Sequence, residues 1–112
     1  MQKTPLSDND ATTRIHRVLS MVPAGRVVTY GDLAAMAGLP RAARFAGQVL
    51  KNLPVGSDLP WHRVVNASGR ISLDGAAAQR QAAKLAQEGV EVIAGRVALK
   101  RYRWDPQQTP GP

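Results

Sequence analysis

Few residues in this 112-residue chain could do covalent chemistry. It holds two histidines, His16 and His62, and no cysteine, which excludes a thiol nucleophile, a disulfide framework and any zinc site built on cysteine. A hydrolase could draw on His62 and Glu88, but no nucleophile, metal-ligand spacing or paired acid accompanies them. No metal and no cofactor is implied. The residues suited to binding are more numerous. Pro60-Trp61-His62-Arg63-Val64-Val65 sets an indole beside an imidazole and a guanidinium. The stretch from Arg41 to Asn52 (RAARFAGQVLKN) mixes positive charge with the small residues Ala42, Ala43 and Gly47.

That charge is unevenly spread. Fifteen Lys and Arg against eight Asp and Glu give a net charge of +7, a balance that attracts polyanions and favours nucleic acid as partner. Between Leu33 and Leu73 the single acid Asp58 faces five bases, Arg41, Arg44, Lys51, Arg63 and Arg70. A second basic cluster, Arg96, Lys100, Arg101 and Arg103, has no acid within it. The sequence has no apolar run of 18 residues, and MQKTPLSDND lacks the apolar stretch of a signal peptide. The expectation is a soluble, cytoplasmic monomer with no membrane association, nucleoid-associated if the host is bacterial.

A chain this short buries roughly 60 to 70% of its unfolded surface and has room for one domain. Residues 1–6 and 105–112 lack periodicity and read as flexible ends, leaving a single domain over 7–104. Ser7 or Asp8 caps a first helix that carries Ile15, Val18, Leu19 and Val22 on one face and stops before Pro23 and Gly25. A β-rich link over 26–29 follows. Tyr30 to Ala37 reads as a short helix closed by Gly38 in a left-handed cap, and Pro40 starts a third helix from Arg41 to about Asn52.

Two short helices joined by Gly38-Leu39-Pro40 make a helix-turn-helix, whose second helix enters a nucleic-acid groove. On that helix Ala46, Val49 and Leu50 can face the core. The small residues permit close approach to a minor groove about 6 Å wide, better than a major-groove code of side chains. Further on, 63–66 and 70–73 bracket Ala67-Ser68-Gly69 as a hairpin, and 76–88 forms a helix with Ala78, Ala82 and Leu85 in a stripe. A second hairpin turns at Ala94-Gly95 and reads as a wing. Tyr102 and Trp104 either pack on the core or join the neighbouring bases at phosphates. The fold class is mainly α, a winged helix-turn-helix of three-helix type with short hairpins.

Three segments in order carry a resemblance: Val22-Pro23-Ala24-Gly25 through Thr29-Tyr30-Gly31, then Pro40-Arg41-Ala42-Ala43-Arg44, then Pro60-Trp61-His62-Arg63-Val64-Val65. Over about residues 10 to 90 the chain resembles the DNA-binding domain of the O6-alkylguanine-DNA alkyltransferases. In that family the residue between Pro60 and His62 is the cysteine that accepts the alkyl group. Here it is Trp61, so alkyl transfer to a thiol cannot occur. The sequence is similar to the alkyltransferase-like proteins, which keep the recognition fold and are associated with passing alkylated guanines to nucleotide excision repair proteins. The resemblance implies a non-enzymatic sensor that binds double-stranded DNA containing O6-alkylguanine by nucleotide flipping.

It also implies residue roles. Tyr30 pushes at the backbone and lines the pocket, and Arg44 enters the stack in place of the flipped base, where a planar guanidinium can hydrogen-bond the orphaned partner. Trp61 offers a wall for the purine or its alkyl group, worth roughly 1 to 3 kcal/mol, and main-chain groups of Trp61 and Val64 read the base edge. Thr29, Arg41, Ala42, Ala43, Phe45, Gly47 and Lys51 fall on the DNA side. His62 and Glu88 are the remnant of a Cys-His-Glu relay, kept as a hydrogen-bonded structural pair, while Arg63 braces the fold. Alkylation at O6 removes the guanine N1 proton and weakens pairing, so extruding the lesion costs less than extruding guanine.

Phe45 and Asp74 depart from the family pattern, and the loop Leu53–Leu59 is about a residue longer than in the transferases, which is expected to widen the pocket. The main alternative is a winged-helix regulator that reads sequence without interest in damage.

Overall fold

The computed structural model describes residues 10–107. The expected flexible stretch 1–6, the cap candidates Ser7 and Asp8, and residues 108–112 of the tail lie outside the described residues. The first helix, α1 (Ala11–Met21), is capped by Asp10, whose carboxylate accepts from the Thr13 N–H at 3.0 Å. Its face Ile15, Val18, Leu19 and Val22 is buried throughout.

After the turn at Pro23 come β1 (Val28–Thr29) and α2 (Tyr30–Met36), then α3 (Ala43–Lys51). A reciprocal capping box starts α2: the Thr29 hydroxyl accepts from the Asp32 N–H, and the Asp32 carboxylate accepts from the Thr29 N–H, both at 3.0 Å. Gly38 takes φ +80° and ends the helix as its sequence position requires. The third helix starts later than Pro40 suggests. Arg41 adopts φ +65°, a left-handed conformation that no helix continues through, so Ala42 becomes the cap and Ala43 the first helical residue.

A single 3₁₀ turn, Trp61–Arg63, leads into β2 (Val64–Val65), and α4 (Gly75–Gln87), β3 (Val92–Ile93), β4 (Arg96–Val97) and a one-turn α5 (Leu99–Tyr102) complete the described chain. The hairpin expected at 63–73 does not form. β2 pairs in parallel with β1, Val28 opposite Val64 and Thr29 opposite Val65. The segment after the Asn66 turn bridges instead to the last strand, Arg70 opposite Arg96, with the Ile71 N–H donating to Gly95 at 2.8 Å. Gly69 makes this junction possible, since a Cβ there would stand 2.3 Å from the Val97 carbonyl oxygen. The second hairpin forms as expected on Ala94 and Gly95, both at positive φ.

Alternation along β1 and β2 divides the core in two. Val28 and Val64 face a cluster of Ile15, Leu19, Leu33 and Ala46 between the first three helices. Val27 and Val65 face the other way, onto Leu85, Val90, Val97 and Tyr102. Tyr102 is buried and Trp104 packs on the first cluster, which selects the packing reading for both aromatics. Among the described residues no helix is long and apolar enough to cross a membrane.

Candidate nucleic-acid interface

One wall of an open cleft of about 710 Å³ is the solvent side of α3, contributing Ala43, Arg44, Gly47 and Lys51. Thr29, Tyr30 and Gly31 around the start of α2 line it as well, and so does Trp61. Tyr30 is held on two sides. Its hydroxyl shares a 3.0 Å hydrogen bond with that of Ser72, and its ring lies against the bare Gly47, where an added Cβ would stand 3.9 Å from Cδ1. Arg44 and Lys51 are exposed and make no ion pair among the described residues. The cleft is thus mostly apolar, with two cations, Arg44 and Lys51, in its lining.

Trp61 is half-buried yet belongs to neither core cluster. Its ring meets His62 edge-on, with centroids 6.0 Å apart and an interplanar angle of 86°. It also borders a second recess of about 360 Å³ that holds Leu53, Pro54, Val55, Gly56 and Ser57. None of residues 53–59 lines the main cleft.

His62 and Arg63 turn away from the cleft and meet Glu88 at the end of α4. His62 Nε2 and Glu88 Oε2 are 2.9 Å apart, while Arg63 grips the same carboxylate with two bonds, Nε to Oε1 at 2.9 Å and a terminal nitrogen to Oε2 at 2.6 Å. Its other terminal nitrogen donates to the Val22 carbonyl at 2.8 Å, tying the end of α1 to the same node. The Arg63 fork holds the Glu88 carboxyl down at about 2, against the opposing effect of burial and with further help from His62. Both members of the expected relay remnant are therefore in contact, with Arg63 as the larger partner of Glu88.

Not every expected residue lines the cleft. Arg41, Ala42 and Phe45 lie on or beside α3 away from the cleft wall, although Phe45 is 37% exposed. Val64 is buried, its N–H donating to the Trp61 carbonyl and its own carbonyl accepting from the Gln81 amide at 2.9 Å, so its main chain is engaged within the fold. Asp74 stands at the position before α4 without a side-chain capping bond and borders a neighbouring hollow. Conversely, the cleft takes in Gln48, Asn66, Ser72, Leu73 and Gln81, which the sequence reading missed. Gln81 carried a usable signal: a polar residue on the Ala78-Leu85 stripe, it is buried and bonds the carbonyls of His62 and Val64. Ser72 and Leu73 were hidden by the hairpin that does not form. No group of three His, Cys, Asp or Glu side chains among the described residues could hold a metal ion.

The family model for the DNA-binding domain of 6-O-methylguanine DNA methyltransferase matches residues 10–90. The chain belongs to this family. Within it, the chain is 55% identical over 93 residues to the DNA base-flipping protein of Escherichia coli strain K12, covering 82% of this chain and 72% of that one. It is 38% identical over 101 residues to alkyltransferase-like protein 1 of Schizosaccharomyces pombe, covering 84% and 94% respectively. The crystal structure of S. pombe Atl1 in complex with damaged DNA containing O6-carboxymethylguanine superimposes with a TM-score of 0.78 at 38% identity, over 85% of this chain and 94% of that one. This member of the methyltransferase DNA-binding family is thus an alkyltransferase-like chain with the helical fold of those relatives.

Proposed function

We propose that this protein binds O6-alkylguanine in duplex DNA from the minor groove, turns the nucleotide out into the cleft, and marks it for nucleotide excision repair without altering it. The observation that carries the reading is a cleft of about 710 Å³, lined by Tyr30 and Trp61 and by Arg44 and Lys51, neither of which makes an ion pair among the described residues, in a chain with no cysteine to accept an alkyl group. A flipped purine finds a stacking face on Trp61, and Arg44 fills the vacated stack. Small residues on α3 permit close approach to the duplex, and exposed cations beside them meet phosphates. Repair then depends on other proteins, because the lesion leaves the cleft chemically intact. The relatives support this reading, one named for base flipping and another seen on damaged DNA. We place the protein, as a monomer, in the cytoplasm or on the nucleoid.

The test is a titration at fixed salt of two matched duplexes, one carrying a single O6-methylguanine and one carrying guanine. The expected preference for the lesion is on the order of tenfold or more, falling toward one in Arg44→Ala. Equal affinity for both duplexes in the wild type would replace this reading with that of a DNA-binding regulator indifferent to damage.

A further inference from the structure

The part of the chain that follows the matched stretch 10–90 is not an idle tail. Residues 99–104 run back across the molecule to the segment that leads into Tyr30. The Val27 N–H donates to the Tyr102 carbonyl at 2.9 Å, and the Trp104 N–H donates to the Val27 carbonyl at 2.8 Å, so a parallel bridge forms between Val27 and Arg103. Between these two bonds the Arg103 side chain reaches past β1 to Asp32. Its Nε donates to Oδ2 at 3.0 Å and a terminal nitrogen to Oδ1 at 2.6 Å, a two-pronged grip across 71 residues of sequence.

Asp32 is itself the residue that closes the capping box of α2, and its Oδ2 takes the Thr29 N–H as well as Arg103 Nε. The strap therefore holds the chain just before Tyr30, through Val27, and just after it, through Asp32. A side chain at the first position of a seven-residue helix swings with that helix start. On this geometry we propose that Arg103 is a positioning residue for lesion recognition, acting through Asp32 to fix the Tyr30 side chain at the cleft. The proposal rests on the lesion-binding reading above. It also separates Arg103 from the other bases near the C-terminus: Lys100, Arg101 and Arg103 are all exposed, but the Arg103 guanidinium spends two N–H groups on Asp32.

Two variants with opposite charge changes test it. Arg103→Ala removes a positive charge. Asp32→Asn removes a negative one, keeps an oxygen for the Thr29 N–H and breaks the ion pair. Were Arg103 merely part of the basic field, the first variant would weaken and the second strengthen binding to any duplex, leaving the ratio of lesion to undamaged affinity alone. Positioning predicts that both lower this ratio, by about threefold or more. Arg103→Lys, which keeps the charge but not the fork, should recover part of it. In a Tyr30→Ala background, Arg103→Ala should lower the ratio no further, since the effect passes through Tyr30. Thermal unfolding of each variant shows whether a changed ratio reflects a folded protein.

A wild type that prefers the lesion, with both folded single variants keeping the full preference, overturns the positioning role and leaves the function standing. A further loss in the Tyr30→Ala background also overturns it. Absence of preference in the wild type removes the function and this role with it.

Discussion

Three consecutive residues, Trp61, His62 and Arg63, serve two regions with opposite treatment of charge. On one side, His62, Arg63 and Glu88 fill one another's hydrogen bonds in a largely buried node joining α1, the 3₁₀ turn and α4. On the other, Trp61 looks into a cleft whose cations, Arg44 and Lys51, have no acidic partner among the described residues. A charge whose bonds are all satisfied inside the molecule steadies the fold and has nothing left to offer a ligand. A charge left exposed beside an apolar cleft adds little stability and remains free for phosphate.

The contrast breaks most visibly at Arg63. Removing its side chain leaves Glu88 to His62 and the Gly25 N–H and takes a donor from the Val22 carbonyl, and Arg63→Ala should cost about 3 kcal/mol in urea unfolding, with the lesion preference of the folded fraction unchanged. The same node gives the wild type an acid-sensitive component. Glu88 titrates near 2 in the folded protein against 4.5 when unperturbed. Its stabilisation is complete above about pH 4.5 and disappears as pH falls toward 2, because the unfolded chain takes up the proton first. Discounted for solvent screening, this amounts to about 2 kcal/mol. Glu88→Gln should flatten that limb of the pH–stability curve.

Trp61→Ala should do the reverse. Since the ring lies outside both core clusters, the loss should fall on lesion affinity, at roughly 1 to 3 kcal/mol, and change the melting temperature little. Comparable losses in stability and affinity would merge the two regions into one. The smallest effect is expected from Gly47→Ala on the cleft wall. An alanine Cβ would sit in ordinary contact with Tyr30, so the helix should gain about 0.5 to 1 kcal/mol while the cleft narrows, lowering affinity for a benzyl lesion more than for a methyl one.

Much of the scaffold was legible because its signals are local. The four-residue face of α1, the glycine that ends α2 and the Ala94-Gly95 turn each depend on neighbours within one or two helical turns. The parallel pairing of β1 with β2 was not, since two-residue strands 36 positions apart carry no periodicity and their partners are chosen by tertiary packing. Arg41 misled for another reason: proline often opens a helix, but here the chain spends a left-handed residue first. Within the cleft, the motif residues Tyr30, Arg44 and Trp61 were legible by type and order. Ser72 and the Asp32–Arg103 ion pair were not, because each depends on segments brought together only by the fold.

The central claim is recognition by extrusion without reaction, and fluorescence tests it most directly. A 2-aminopurine placed beside an O6-methylguanine in duplex DNA reports loss of stacking when its neighbour leaves the helix. Adding the protein should brighten this duplex, leave the matching guanine duplex dark, and return an unaltered lesion on strand analysis, with the signal lost in Arg44→Ala. Tight binding to the lesion duplex with no rise in fluorescence would contradict the account.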